Sequence, residues 1–398
     1  MELMQIADGI YDVGATDWNI RDFHGYSTHL GSSYNAYLIM DEKIALVDTV
    51  KREFSDTLLE NISRIVDPAR IDYVISNHTE MDHSGALPQL MSRIGADKPL
   101  YCSEMGHKNL ARHFQFPFRF HPVKDGETLS LGRRTLQFME TRMVHWPDSM
   151  FTYIPGDGIL FSSDGFGQHF ATFEKFADEV GEDLVMVHAK KYYANILTLY
   201  GPMILKVIDR IVKDKIDIRM ICPDHGLIWR RSPERIIEAY GRWSRQEAER
   251  KAVVVYDSMW NSTEAMALEI AAGIRATGVT ALPMHLHTAH RSDIMTEVLD
   301  AAAVVVGSPT LNNGLFPTVA DILTYMKGLK PRHKIAAAFG SYGWSGEAVK
   351  LILKEFEAMN LAPLDAGLRI QYVPTADQMR SCWEYGQTIG NAVMTACP

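Results

Sequence analysis

The sequence is short of the features that mark small stapled, membrane-bound or nucleic-acid-binding proteins. Its 398 residues include four cysteines, Cys102, Cys222, Cys382 and Cys397. No two are spaced Cys-x-x-Cys, so neither a four-thiolate metal centre nor a disulfide framework is written here. A reducing cytoplasm is the expected setting. No apolar run is long enough to cross a bilayer. Met1-Glu2-Leu3-Met4-Gln5 lacks the basic start and apolar stretch of a signal peptide. An excess of basic charge is lacking as well: the formal net charge is −9, which speaks against a nucleic-acid groove or an anionic membrane surface as partner.

What is present is enough chain for two cores, and the pattern changes near residue 250. We expect one domain over 1–249 and a second over 250–398. The first is organised around His78-Thr79-Glu80-Met81-Asp82-His83, where four of six residues can bind a metal. This stretch follows an apolar run, 71–76, that reads as a buried strand. A strand end fixes the backbone while the loop beyond it aims side chains. In an extended segment positions 78, 80 and 82 point the same way. Four ligands are too many for one ion that keeps an open position, so two metals about 3.5–4 Å apart are the simpler reading. His145, Asp164 and His225 each stand at the end of a later apolar run. If those runs lie side by side, their ends converge on one rim. Taken singly, Asp164 also reads as a turn cap, Asp224 as a turn residue or a partner behind a ligand, and the remaining histidines as ordinary surface or core residues.

The order His-x-Glu-x-Asp-His, then His, Asp and His, on a β-rich scaffold with outer helices, resembles the metallo-β-lactamase fold, an αββα sandwich. Zinc hydrolases of that fold carry His where Glu80 stands. A carboxylate there favours harder, oxygen-rich coordination, which suits iron. With Asp-Phe-His-Gly-Tyr at 22–26 and His-Trp-Pro-Asp-Ser-Met at 145–150, the chain resembles the flavodiiron proteins over nearly its whole length. The resemblance implies two non-haem irons. His78, Glu80 and His145 would hold one, Asp82, His83 and His225 the other, with Asp164 bridging. It also implies His24, His169 and Tyr193 as neighbours of the bound gas; packed polar residues are the competing reading.

After residue 250, strands and helices alternate as in a doubly wound five-stranded parallel sheet. The first strand, 252–256, runs into Ser258-Met259-Trp260-Asn261-Ser262-Thr263, rich in hydroxyls and without Gly-x-Gly-x-x-Gly. Such a loop at a helix N-terminus suits a terminal phosphate; a plain helix cap is the alternative. It resembles the phosphate loop of flavodoxins, which bind FMN. The loops Ser308-Pro309-Thr310-Leu311-Asn312-Asn313-Gly314 and Ser341-Tyr342-Gly343-Trp344-Ser345-Gly346 would then flank the flavin. Trp344 is either a stacking partner or core packing.

A flavin with a dimetal centre implies redox chemistry: reduction of O2 to water, of NO to N2O, or both. The resemblance further implies a head-to-tail homodimer and a small donor protein such as rubredoxin, or a deazaflavin hydride donor. Two other readings remain open at this point. One is a zinc hydrolase with a flavodoxin-like regulatory domain. The other is an electron carrier whose first domain is only a docking platform.

Overall fold

A computed structural model describes residues 4–397. The packing of the chain divides it into two compact units. The first comprises residues up to His24, Thr28–Tyr192 and Tyr200–Gly241. The second takes Arg242 onward together with two short excursions, Gly25–Ser27 and Tyr193–Leu199.

The first unit holds two sheets. One has seven strands in the spatial order Met4–Ala7, Ile10–Asp12, Tyr37–Ile39, Ala45–Val47, Tyr73–Ser76, Pro99–Ser103 and Arg119–Val123. Its early pairs are antiparallel and its last three parallel. The other has five: Thr128–Ser130, Thr135–Glu140, Met150–Ile154, Ile159–Phe161 and Met220–Cys222. Side chains of both inner faces, among them Tyr37, Val47, Ile75, Phe138, Ile154 and Phe161, form one buried cluster, as expected of sheets packed face to face. On the outer face of the seven-stranded sheet, Leu38, Leu46, Val74 and Leu100 pack against Leu58, Ile62, Leu90, Met91 and Leu110. Those residues come from the helices Ser55–Ser63, Leu87–Ile94 and Glu104–His113. Outside the second sheet, Phe151 and Phe166 meet Tyr240 of the helix Pro233–Arg245. The layers are helix, sheet, sheet, helix, the expected αββα sandwich.

The second unit is built on one parallel sheet, ordered Thr280–His285, Glu249–Tyr256, Ala301–Gly307, Ile335–Tyr342 and Leu368–Gln371. Its central strands are buried along nearly their whole length, and apolar clusters cover both faces. Alternation of polarity is therefore missing from Ala-Val-Val-Val-Tyr, as burial on two faces requires. The strand order 2-1-3-4-5 is the flavodoxin-like one, which leaves a crevice at the carboxyl ends of the strands.

One local expectation changes. The extended reading of the ligand stretch holds only to Glu80, because Met81–Ser84 closes a turn of α-helix. Thr49 fixes this turn, its amide and hydroxyl both bonding the His83 carbonyl.

Candidate metal centre and flavin site

The strand ends do meet. The strand Ile159–Phe161, just before Asp164, pairs in parallel with Met220–Cys222, just before His225. Across the sandwich, the amide of Met150 bonds the carbonyl of Asn77, beside His78. Two groups of side chains with metal-ligand spacing result, His78, Glu80, His145 and Asp164 in one and Asp82, His83 and His225 in the other.

Asp164 serves both. Its Oδ2 lies 3.0 Å from His145 Nε2 and 3.4 Å from His78 Nε2. Its Oδ1 lies 3.2 Å from His83 Nε2 and 3.3 Å from His225 Nε2. Glu80 Oε2 completes the first group, 3.3 Å from His145 Nε2 and 3.4 Å from His78 Nε2. Asp82 Oδ2 completes the second, 3.2 Å from His225 Nε2 and 3.4 Å from His83 Nε2. Asp82 and His83 are sequence neighbours, and the helical turn lets them approach His225 from different directions. The loops carrying these residues are tightly constrained. Ser163, before Asp164, has φ of 50°. Gly226, after His225, has φ of 78°, and a Cβ there would stand 2.0 Å from Gln168 Oε1.

Burial opposes every charge in this pocket, and the neighbours reverse it. Burial pushes His78 down, but hydrogen bonds to Asp148 and Glu80 raise it to about 10. Burial pushes Glu80 up, but hydrogen bonds from His145 and His78 bring it down to about 2. Asp164 is likewise raised by burial, then held well below the usual carboxylate range by His83 and His145. His83 is lowered by burial and lifted well above its ordinary value by Asp82 and Asp164. The carboxylates draw positive charge onto the imidazoles; a bound cation would supply the same charge in place of their protons. Asp82 Oδ1 and both ring nitrogens of His83 are buried without a hydrogen bond among the described residues. Such atoms are costly unless something binds them, so the donor set fits a pair of metal ions.

Around this core, His24 Nε2 lies 3.3 Å from Glu80 Oε1 with its side chain 71% exposed, at the mouth of the pocket. His169 is buried, its Nδ1 2.7 Å from Ser32 Oγ. Burial, and then the neighbouring His225, push His169 well below its ordinary value. Tyr193 is counted with the second unit, and its hydroxyl shares a 2.8 Å hydrogen bond with Ser244. The tyrosine that touches this cluster is Tyr192, whose hydroxyl donates to Asp164 Oδ1 at 2.8 Å. Neighbouring helical positions point about 100° apart, and the sequence alone does not fix which of the two faces inward. Asp148, which the sequence offers only within the 145–150 motif, accepts from His78 Nδ1 at 3.0 Å through its carboxylate.

In the second unit, the loops at 259–262, 309–313 and 341–345 line a cavity of about 500 Å3, joined by Tyr372 and Val373. Asn261, Asn312 and Asn313 hold φ of 63°, 49° and 58°, a left-handed backbone that asparagine tolerates. Asn261 thereby starts the helix Ser262–Arg275 at the cavity. Trp344 is 86% exposed, which removes core packing as its explanation, and Trp260 is 87% exposed. Two expected contacts differ. Thr263 is buried with its hydroxyl 2.8 Å from Ser341 Oγ. Ser308 is buried, its hydroxyl donating to the Pro309 carbonyl and accepting from the Phe316 amide. Both brace the loops from behind. Gly314 closes the 311–314 turn, and Ser258 accepts from the Glu264 amide. The cavity's size, the helix start on its wall and its exposed aromatic rim fit a flavin mononucleotide.

Comparison with known proteins agrees with this two-part design. Residues 33–226 match the ODP family beta lactamase and residues 254–386 match Flavodoxin. The chain is 45% identical over 388 residues to a nitric oxide reductase of Moorella thermoacetica, covering 96% of this chain and 97% of that protein. It is 43% identical over 397 residues to a rubredoxin-oxygen oxidoreductase of Megalodesulfovibrio gigas, covering 99% and 98%. Among solved structures, rubredoxin oxygen:oxidoreductase from Desulfovibrio gigas superposes with a TM-score of 0.97 at 42% identity, covering 99% of each chain. The flavodiiron protein from Giardia intestinalis gives 0.96 at 35% identity, covering 100% of this chain and 98% of that one. Sequence, layered fold and clustered ligands together place this chain in the flavodiiron protein family.

Proposed function

We propose that this protein is a flavodiiron oxidoreductase that reduces O2 to water, NO to N2O, or both. The observation that carries the reading is Asp164, whose two oxygens face two separate histidine–carboxylate groups. His78, Glu80 and His145 would hold one iron, Asp82, His83 and His225 the second, and Asp164 would bridge them. When bound, two irons and reduced FMN together supply the four electrons that O2 needs to become two waters, and NO needs fewer.

The protein's own groups prepare that chemistry. Tyr192 donates to the bridging carboxylate and fixes its orientation. His24 stands at the solvent-facing side, where it can pass protons. His169, buried beside His225 with Nδ1 on Ser32 Oγ, packs against the second group of ligands. FMN would lie in the 500 Å3 cavity, its phosphate at the start of the helix Ser262–Arg275 and its ring against Trp344. The domains we assign are 1–249 for the metals and 250–398 for the flavin.

Rubredoxin is the donor we propose, since it stands in the name of the Megalodesulfovibrio relative; no Cys-x-x-Cys pair in these residues provides such a centre. A head-to-tail homodimer, one copy's flavin serving its partner's irons, is supported by the exposed Trp260, Trp344, Tyr372 and Val373, since a contiguous apolar rim marks a contact surface. A cytoplasmic setting is supported by four cysteines free of disulfides, three of them buried. Among the described residues no helix is long and apolar enough to cross a membrane.

The test is metal and flavin analysis of purified protein, followed by anaerobic assays with reduced rubredoxin and either O2 or NO. We expect two irons and one FMN per chain and consumption of at least one gas. Two zincs per chain, with lactonase or thioesterase turnover and no gas consumption, would replace this reading with the hydrolase.

A further inference from the structure

The two halves of the metal pocket present similar ligand atoms but are backed differently. His78 directs Nδ1 at Asp148 Oδ2, 3.0 Å away, and both side chains are fully buried. The same oxygen accepts from the amide and the hydroxyl of Thr79, each at 2.8 Å. The other oxygen accepts from Asn109 Nδ2 at 3.2 Å. Four donors thus lock one carboxylate, and that carboxylate locks the ring. In the other half, His225 Nδ1 faces the neutral carbonyl of Ser33 at 2.7 Å. His83 Nδ1 is 3.4 Å from Asp224 Oδ2, and neither Asp224 oxygen has a hydrogen bond among the described residues.

We propose that Asp148 is the positioning residue of the His78 half, and that its charge makes the two irons unequal. Holding the proton on Nδ1 leaves Nε2 free to face Glu80 and Asp164. A carboxylate hydrogen-bonded behind an imidazole also makes it a stronger electron donor than the Ser33 carbonyl behind His225 does, or than Asp224, which makes no hydrogen bond to His83. The half containing His78 therefore holds ferric iron more tightly and has the lower potential, so the half containing His225 is reduced first. This rests on the reading of the seven residues as iron ligands.

The experiment compares iron-loaded wild type with Asp148→Asn, which keeps the shape and removes the charge, and with Asn109→Ala, which loosens the carboxylate from a half-buried helix position. Iron per chain is followed against a chelator. Reductive titration is followed by the electron paramagnetic resonance signal of the mixed-valent pair, with melting temperature and FMN content as controls. In Asp148→Asn, one of the two irons is expected to bind about 10–100-fold more weakly, and the mixed-valent signal to span a narrower range of potential. Asn109→Ala is expected to shift both readouts in the same direction by less, at unchanged melting temperature. If Asp148→Asn does not fold, Asn109→Ala decides alone. Wild-type chelator resistance and a wild-type mixed-valent range in the variants overturn the proposal. So does equal loss of both irons in step with the melting temperature, which would mean a purely structural role. A wild type that takes up no iron overturns the ligand reading as well.

Discussion

In the metal pocket His78, Asp82, His83, Asp164 and His225 are all buried, whereas around the flavin cavity Trp260 and Trp344 are almost wholly exposed. The first is a closed network of opposite charges, each within 3.0–3.4 Å of another. The second is an open ring of loops braced by buried hydroxyls, Thr263 on Ser341 and Ser308 on Pro309 and Phe316. The difference has a physical consequence. Removing one member of a buried charge network leaves its partners uncompensated, at a cost of roughly 3–5 kcal/mol, so damage there spreads. Removing an exposed aromatic leaves the fold untouched and changes only what the aromatic would have covered.

The sharpest test of that contrast is Asp164→Ala. The two oxygens shared between the groups disappear, and four histidines lose their common partner. Both irons should be lost and gas reduction should fall at least about 100-fold, beyond what removal of a residue behind a ligand costs. The flavin absorbance should stay at its wild-type level. Retention of iron and of full O2 and NO turnover would remove Asp164 from the bridge.

Gly226→Ala should come next. The new Cβ would meet Gln168 Oε1 at 2.0 Å in a backbone at φ of 78°, a conformation alanine disfavours by about 1–3 kcal/mol. The loop behind His225 must shift. We expect a lower melting temperature of the first unit and weaker iron binding, again with normal flavin content. A melting curve and iron content equal to wild type would show that this loop yields more easily than its contacts imply.

Tyr192→Phe removes a single hydroxyl from Asp164 and keeps the ring. A buried hydrogen bond to a charged group contributes about 1.5–3 kcal/mol, but here the metals would compensate much of the lost orientation. Iron should remain bound while turnover falls about tenfold, and Tyr193→Phe, whose hydroxyl pairs with Ser244, should change turnover less. Equal effects in parallel assays would reverse the roles given to the two tyrosines.

These neighbouring tyrosines also show where sequence reading stops. The two clustered groups of histidines and carboxylates were legible because each member sits at a strand end and four crowd into six residues: the pattern is local and dense. The open α/β sheet was legible because a strand buried on both faces writes an unbroken apolar run. Tyr192 was not, because its phase depends on how the helix Glu182–Tyr192 passes into the π-helical turn Tyr193–Leu197. Asp148 was visible only as part of a motif, since its role requires Thr79 and Asn109 to arrive from other elements. Thr263 and Ser308 read as phosphate or flavin contacts because a hydroxyl in such a loop has two possible directions. Only the positions of Ser341 and Phe316 decide which one it takes. Tyr372 and Val373 follow the fifth strand, Leu368–Gln371, which has no long apolar run to announce it.

Trp344→Ala tests the open side of the contrast and should have the smallest effect. The side chain is 86% exposed, so its loss should leave stability within the range of a surface change, about ±0.5 kcal/mol. An aromatic pair in offset or edge contact contributes about 0.5–1.5 kcal/mol beyond its buried area. Flavin affinity measured by fluorescence titration should therefore weaken about three- to tenfold, with iron content unchanged. Trp260 stands on the opposite loop with equal exposure, and the double variant separates two arrangements. If both rings cover one bound flavin, their losses are coupled and the double variant weakens binding by an amount other than the sum of the single effects. If Trp260 instead belongs to a contact with another protein, its loss leaves flavin affinity alone and appears only in the rate at which reduced rubredoxin or a second copy delivers electrons.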